Sequence, residues 1–207
     1  MSRHTKAVCK LCRREGEKLF LKGHKCDTAK CSVSKRPTPP GEHPYRRGRR
    51  SEYGMQLREK QKVKRFYGIK DKQFRKYFDL AEKQKGNTGE NLLVLFERRL
   101  DNVVYMLRFG LSRPHARQLV THGLVRVNGK KCDIPSRLLK QGDRIELKGD
   151  KAQKAVKENF EITRSREIPG WLTLDDENLV GVVNQLPVRD DVQIATEEQL
   201  IVEFSSK

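Results

Sequence analysis

The sequence predicts an α+β protein assembled in pieces. They are an N-terminal four-cysteine knuckle with an extended basic arm, a helical domain, an inserted small α/β module of two helices on a small, mostly antiparallel sheet, and a C-terminal β segment. Three observations carry this expectation. Four of the five cysteines crowd between Cys9 and Cys31. Apolar residues recur at helical spacing through the middle of the chain and switch to alternation after Gly123. The charge is divided: from Ile168 onward Arg189 and Lys207 face eight carboxylates, a net of −6, so the preceding residues carry +24 against +18 for the whole. With 207 residues and 35% hydrophobic content the chain can fill one or two small cores. The boundaries read as 1–50, 51–90, 91–160 and 161–207.

The cysteines follow C-x2-C-x13-C-x4-C. Each close pair, Cys9 with Cys12 and Cys26 with Cys31, can wrap one side of a tetrahedral ion while the loop between them returns the chain. One structural Zn2+ held by four thiolates is the leading reading, since four protein ligands leave no position for water or substrate. An iron–sulfur cluster accepts the same ligand set, and unligated thiols are the plain alternative. A thioredoxin-like dithiol would follow a strand in a βαβ setting, which the flanks "TKAV" and "RREGEKLF" do not offer. His4 and His24 read as exposed or RNA-facing, and Arg13 and Arg14 as RNA-facing. Cys132, alone in "KKCDIPS", reads as a small apolar strand residue.

Residues 35–50, "KRPTPPGEHPYRRGRR", cannot bury apolar surface and favour an extended chain that a partner must order. Lys35 and Arg36 open this arm. Arg46, Arg47, Arg49 and Arg50 offer planar forks to phosphate oxygens, with Tyr45 and Tyr53 placed to stack on a base or sugar. Two helices follow, parted near Gly68, with Asp71 as the second N-cap and Gly86 as its stop. Met55, Val63, Phe66 and Ile69, then Phe74, Tyr77, Phe78 and Ala81, form their inner stripes. Arg58, Lys60, Lys62, Lys64 and Arg65 lie opposite as one wall of a positive surface, and Lys85 closes the region.

The run "NLLVLFERRLDNVVYMLRFGLS" reads as one helix with Leu92, Phe96, Leu100, Val103 and Leu107 on a single face. Ser112 caps the next helix, Pro114 sits in its first turn and Gly123 ends it. Its inner face is Ala116, Leu119 and Val120. Arg113, His115, Arg117, Gln118 and His122 remain for the outer side. Asn128-Gly129 marks a two-residue hairpin carrying Arg126 and Lys130, and "DRIELK" a further strand. "GWLTL", "NLVGVVNQL" and "QLIVEF" read as short strands closing a sheet, with Glu197, Glu198 and Glu203 on an acidic rim suited to a basic neighbouring protein.

A pI near 9.9 points to a polyanionic partner. With no run of 18 apolar residues and no secretory apolar core, neither membrane insertion nor export is expected. An enzyme is not expected, because the chain offers no nucleotide-binding glycine loop and no nucleophile with a paired base. A DNA-binding zinc regulator would set one recognition helix beside the metal and carry a dimer interface, whereas here the cations spread along most of the chain.

The stretch "RLDNVVYMLRFGLSRPHARQLVTHGLVRVNGKKCDIPS" resembles the small RNA-binding domain named after small-subunit ribosomal protein four. "LREKQKVKRFYGI", the four-cysteine segment and the terminal "EQLIVEF" extend the likeness, in order, to the bacterial-type small ribosomal subunit protein four family, in its four-cysteine variant. The resemblance implies direct binding of small-subunit ribosomal RNA at a multi-helix junction early in assembly. It further implies a cytoplasmic place in the small subunit near the side where messenger RNA enters, and influence on decoding accuracy through neighbouring protein five. In some bacteria it implies repression of the protein's own messenger. The family includes members without the cysteines, so zinc rests on the four thiols of this chain.

Overall fold

A computed structural model describes residues 4, 6–42 and 51–206, apart from the side chains of residues 150–152 and 155. The arm residues Tyr45, Arg46, Arg47, Arg49 and Arg50 lie outside the described residues. Two compact units emerge: one from the chain up to Leu92 together with the segment from Ile194, the other Leu93–Gln193.

In the first unit, α1 (Cys9–Glu15), a single 3-10 turn (Gly23–Cys26) and α2 (Ser32–Lys35) form the cysteine segment. Then come α3 (Glu52–Phe66), α4 (Asp71–Glu82) and the start of α5 (Thr88–Glu97), while α9 (Glu198–Ser206) packs on α3. Gly68 separates α3 from α4 as expected. Its φ of +64° lets the Ile69 and Gly68 N–H groups close on the Lys64 and Arg65 carbonyls, a left-handed cap that a side chain would strain. Asp71 is not the N-cap of α4. Lys70 holds that position without a side-chain bond, and Asp71 is the first helical residue.

The inner stripe of α3 also differs from the expected one. Gln56, Lys60, Val63 and Lys64 are buried and Met55 is exposed, because residues 56, 60, 63 and 64 share a face at 100° per residue. Lys60 is tolerated there since its ammonium lies 5.0 Å from the Phe74 ring centroid and 4.7 Å from that of Phe204. "QLIVEF", expected as a strand, lies in α9. Its β-branched residues are outweighed by burying Ile201 and by the Gln56 amide donating to Glu203 at 2.9 Å.

The second unit packs α6 (Leu100–Met106) and α7 (Arg113–Thr121) on a sheet of β1 (Val125–Val127), β2 (Lys130–Lys131), β3 (Arg144–Leu147), β4 (Leu172–Asp175) and β5 (Val180–Val183). The order is β2-β1-β3-β5-β4 and every pairing is antiparallel. Val127 faces Lys130 across the Asn128-Gly129 turn, both of whose residues have positive φ, the geometry a two-residue hairpin requires. "GWLTL" and "NLVGVVNQL" supply β4 and β5, in keeping with the sequence. A helix the sequence reading did not anticipate, α8 (Asp150–Thr163), brings buried Val156 and partly buried Phe160 to this core, at whose centre Trp171 has no exposed surface.

The single helix expected from Leu92 to Leu107 is two. At Arg99 the backbone turns extended (ψ 137°), caps α6 and bridges to Leu138. The break is stabilised by burying the Arg99 guanidinium against Asp101, with Nε to Oδ1 at 3.0 Å and Nη2 to Oδ2 at 2.7 Å.

Candidate nucleic-acid interface

The fold draws the four thiols into one neighbourhood. Cys9 and Cys12 stand one turn apart on α1, Cys26 ends the 3-10 turn, and Cys31 begins α2; all four are free thiols, three buried and Cys9 half-buried. Burial pushes the Cys12 and Cys26 thiols up. The Leu19 and Lys22 N–H groups, respectively, pull against this, and the proximity of the other cysteines adds to it. At Cys31 burial also acts upward, but the Ser34 and Val33 N–H groups and Lys18 outweigh it and hold the thiol below its ordinary value. Zinc takes cysteine as the thiolate, the form that the surroundings of Cys31 favour. Among the described residues, no group of three or more His, Cys, Asp or Glu side chains is arranged to hold a metal ion.

The cations assigned to RNA divide sharply. Arg13 donates from Nε to the Thr38 carbonyl at 2.9 Å and from Nη2 to that of Pro39 at 3.4 Å, and Arg14 donates from Nη2 to the Pro40 carbonyl at 3.1 Å. On α3, Arg58 and Arg65 both donate to Glu15 Oε1, Lys62 pairs with Glu17 at 3.0 Å and Glu59 at 3.4 Å, and Lys64 pairs with Asp71. Burial pushes the Glu15 carboxyl up, against the opposing pull of Arg65 and Arg58. The expected bare positive wall is therefore a lattice of ion pairs, and Lys60 and Lys64 are buried rather than outward. Lys35, Arg36 and Lys85 are exposed and, among the described residues, outside any such pair.

In the second unit, α7 begins at Ser112, whose hydroxyl accepts from the His115 N–H, and ends at Gly123 (φ +69°). Arg113 does not lie on the outer side as expected. It is buried, donating from Nε to Asn102 Oδ1 at 2.9 Å with its guanidinium 4.4 Å from the Tyr105 ring centroid. Burial lowers the pKa of His115, whose Nδ1 accepts from the Leu111 N–H at 3.2 Å; its charged form is disfavoured. Arg117 is partly exposed and held 3.5 Å from Asp101, while Gln118 and His122 are exposed. Arg126 lies between buried Val125 and Val127 and so points away from the core, with Lys130 exposed at the hairpin.

Periodicity gave no hint of two arginines that build this unit. Arg99 is one. Arg166, beyond α8, donates to the carbonyls of Tyr105, Gly110 and Leu111 at 3.1–3.2 Å and lies 4.0 Å from the Tyr105 ring centroid. Of the acidic rim, Glu197 is exposed and Glu198 half-buried, whereas Glu203 accepts from Gln56 within the first unit.

Two family models match this chain: the ribosomal protein S4/S9 N-terminal domain over residues 3–97 and the S4 domain over residues 98–145. Small ribosomal subunit protein uS4 of Ruminiclostridium cellulolyticum is 57% identical over the whole of both chains. Those of Thermodesulfovibrio yellowstonii and Halothermothrix orenii are 52% and 54% identical, again end to end. The chain belongs to the uS4 family. This is a family of small-subunit ribosomal proteins, not of enzymes. Among the described residues of this uS4 chain no helix is long and apolar enough to cross a membrane.

Proposed function

We propose that this chain is a structural protein of the small ribosomal subunit, acting in the cytoplasm, that binds small-subunit ribosomal RNA at a multi-helix junction and helps nucleate assembly. The observation that carries the reading is the end-to-end likeness to small-subunit proteins in a chain of net charge +18. Supporting it, each unit carries exposed cations, Lys35, Arg36 and Lys85 in one and Lys130 in the other, where exposed Gln118 and half-buried Arg117 and Arg126 also lie. An A-form duplex gives little sequence information, so shape, backbone and splayed bases supply specificity. Two tethered units raise each other's effective concentration on neighbouring RNA helices. The test is binding to a small-subunit junction transcript against duplex DNA at equal, moderate salt. Preference for the transcript is expected, and equal affinity refutes the reading.

Cys9, Cys12, Cys26 and Cys31 would hold one structural Zn2+, with an iron–sulfur cluster as the other four-thiolate occupant. Their C-x2-C-x13-C-x4-C spacing and their places on α1, in the 3-10 turn and at the start of α2 support this. The ion would supply a cross-link, drawing the two thiol pairs together; elemental analysis of the purified protein should find one zinc per chain. Influence on accuracy would run through a basic face of protein five against the acidic rim, with Glu197 its exposed carboxylate. Contact with messenger RNA where it enters, and repression of the protein's own messenger, belong to the same reading.

A further inference from the structure

After α1 the chain runs Lys18-Leu19-Phe20-Leu21-Lys22-Gly23 into the 3-10 turn. Leu19 and Leu21 are buried, at 1% and 7% exposure, whereas Phe20 between them is 38% exposed. Of the eight phenylalanines in the chain it alone is exposed. Its backbone is left-handed, with φ +51°, and its carbonyl accepts from the Gly23 N–H at 3.3 Å, which closes a tight turn. A bulky side chain is strained in that conformation, and glycine or asparagine would adopt it more readily. Burial of Leu19 and Leu21 on either side holds the turn, so the strained position is fixed while part of its ring stays in contact with solvent. The arrangement is complete without an ion at the thiols. Lys18, Lys22, His24 and Lys25 surround the ring in sequence, and all four are exposed and, among the described residues, outside any ion pair. The carboxylates of this stretch are Glu17, which pairs with Lys62, and Asp27.

We propose that Phe20 is a stacking platform for an unpaired base of ribosomal RNA, with Lys18 and Lys22 meeting the phosphates on either side of that nucleotide. The inference rests on the RNA-binding reading above and adds the kind of nucleotide that this face takes. A base inside a duplex has both faces covered by its neighbours, so an exposed ring can stack only on one that is splayed out or unpaired. Every base has a π face, so the site selects unpaired over paired nucleotides rather than one base over another. The lysines act as point charges and do not fix geometry. The ring does, because its backbone is already held by the turn and little freedom is lost when a base settles on it. An exposed aromatic could also meet a protein, but a ring set among lysines outside ion pairs is matched to a polyanion.

The experiment compares the full-length wild type with Phe20→Ala, Phe20→Leu and Phe20→Tyr in filter binding to a small-subunit junction transcript across a range of salt. Phe20→Ala and Phe20→Leu should each weaken binding on the order of 10-fold, the loss of one stacked base, while Phe20→Tyr stays near wild type. The slope of log affinity against log salt should be the same for all four proteins, because no charge is changed. Thermal midpoints of Phe20→Leu and wild type should agree, since leucine keeps the partly buried apolar contact. Phe20→Leu and Phe20→Tyr decide the matter even should Phe20→Ala fold poorly. Wild-type affinity in Phe20→Leu overturns the stacking role while leaving the RNA-binding reading intact. So does a loss of affinity in Phe20→Leu that is matched by a lowered midpoint. Unchanged RNA affinity with poorer incorporation into reconstituted subunits would assign the ring to a protein neighbour and overturn the proposal. Wild type that ignores the transcript overturns both readings together.

Discussion

Asp101→Ala should unfold the second unit more readily than any substitution on its surface. Arg99 is fully buried and its fork is met by both oxygens of Asp101 at 2.7 and 3.0 Å. Removing the carboxylate takes the counter-charge from a buried guanidinium, a change that costs about 3–5 kcal/mol. For a domain whose total stability is about 5–15 kcal/mol, that is a fifth or more. With a urea dependence of about 1.5 kcal/mol per molar, the midpoint should fall by roughly 2–3 M. The assay is built in: Trp171 is the sole tryptophan and sits, fully buried, in this unit's core, so its fluorescence reports this unit. Arg99→Met with Asp101→Leu should recover most of the loss, since an apolar pair can replace a buried ion pair at little cost. A midpoint within ~0.5 M of wild type for Asp101→Ala, equivalent to under ~1 kcal/mol, would refute the reasoning.

Gly110→Ala should destabilise the same unit by about 1–3 kcal/mol, because a Cβ there would lie 2.8 Å from the Ala116 backbone nitrogen, which cannot swing aside; an unchanged thermal midpoint would show that α7 can shift. The hydrogen bond from Lys64 holds the Asp71 carboxyl below its ordinary value, so its contribution is present above the unfolded carboxylate pKa and lost as pH falls through the folded one. Asp71→Asn should therefore be less stable at pH 7, by under ~1 kcal/mol given the exposure of Asp71, with the difference closing in acid. Lys130→Ala should lower the slope of log affinity against log salt by ~0.7–0.9 if Lys130 meets a phosphate, and an identical slope would remove it from the interface. Glu197→Lys should weaken docking of protein five in reconstituted subunits without affecting folding, whereas Glu203→Lys should also loosen α9 because Glu203 is bound to Gln56.

Elements specified by local chemistry were legible in the sequence. Ser112 with Pro114, Gly68, Gly123 and Asn128-Gly129 fix caps and turns through bonds that span a few residues, so their pattern survives without knowledge of the rest. What failed was set by distant partners. The break at Arg99 depends on a bridge to Leu138, and the helix at the C-terminus depends on α3. Neither distance is written in the window where periodicity is read. Burial of Arg113 and Lys60 escaped for a related reason: a charged side chain on a helix reads as outward unless an acceptor or ring is known to lie beneath it.

The same sorting bears on how a net charge of +18 should be converted into RNA contacts. Arg13, Arg14, Arg58, Lys62, Lys64, Arg65, Arg99, Arg113 and Arg166 are spent on carbonyls, carboxylates or rings of this chain. A cation already paired must leave its carboxylate, which is then resolvated, before it can neutralise a phosphate and release the counterions held there, so while it stays paired it adds little to the salt slope. Cations outside such pairs among the described residues, such as exposed Lys35, Arg36, Lys85 and Lys130, add nearly a full unit each where they meet phosphate. The slope measured for the full chain should thus fall well short of what 45 lysines and arginines would give. Neutralising a paired cation such as Lys62 should leave that slope almost unchanged while lowering stability. A slope that drops equally for Lys62→Gln and Lys130→Gln would mean that the internal pairs open on binding and that phosphates replace the carboxylates.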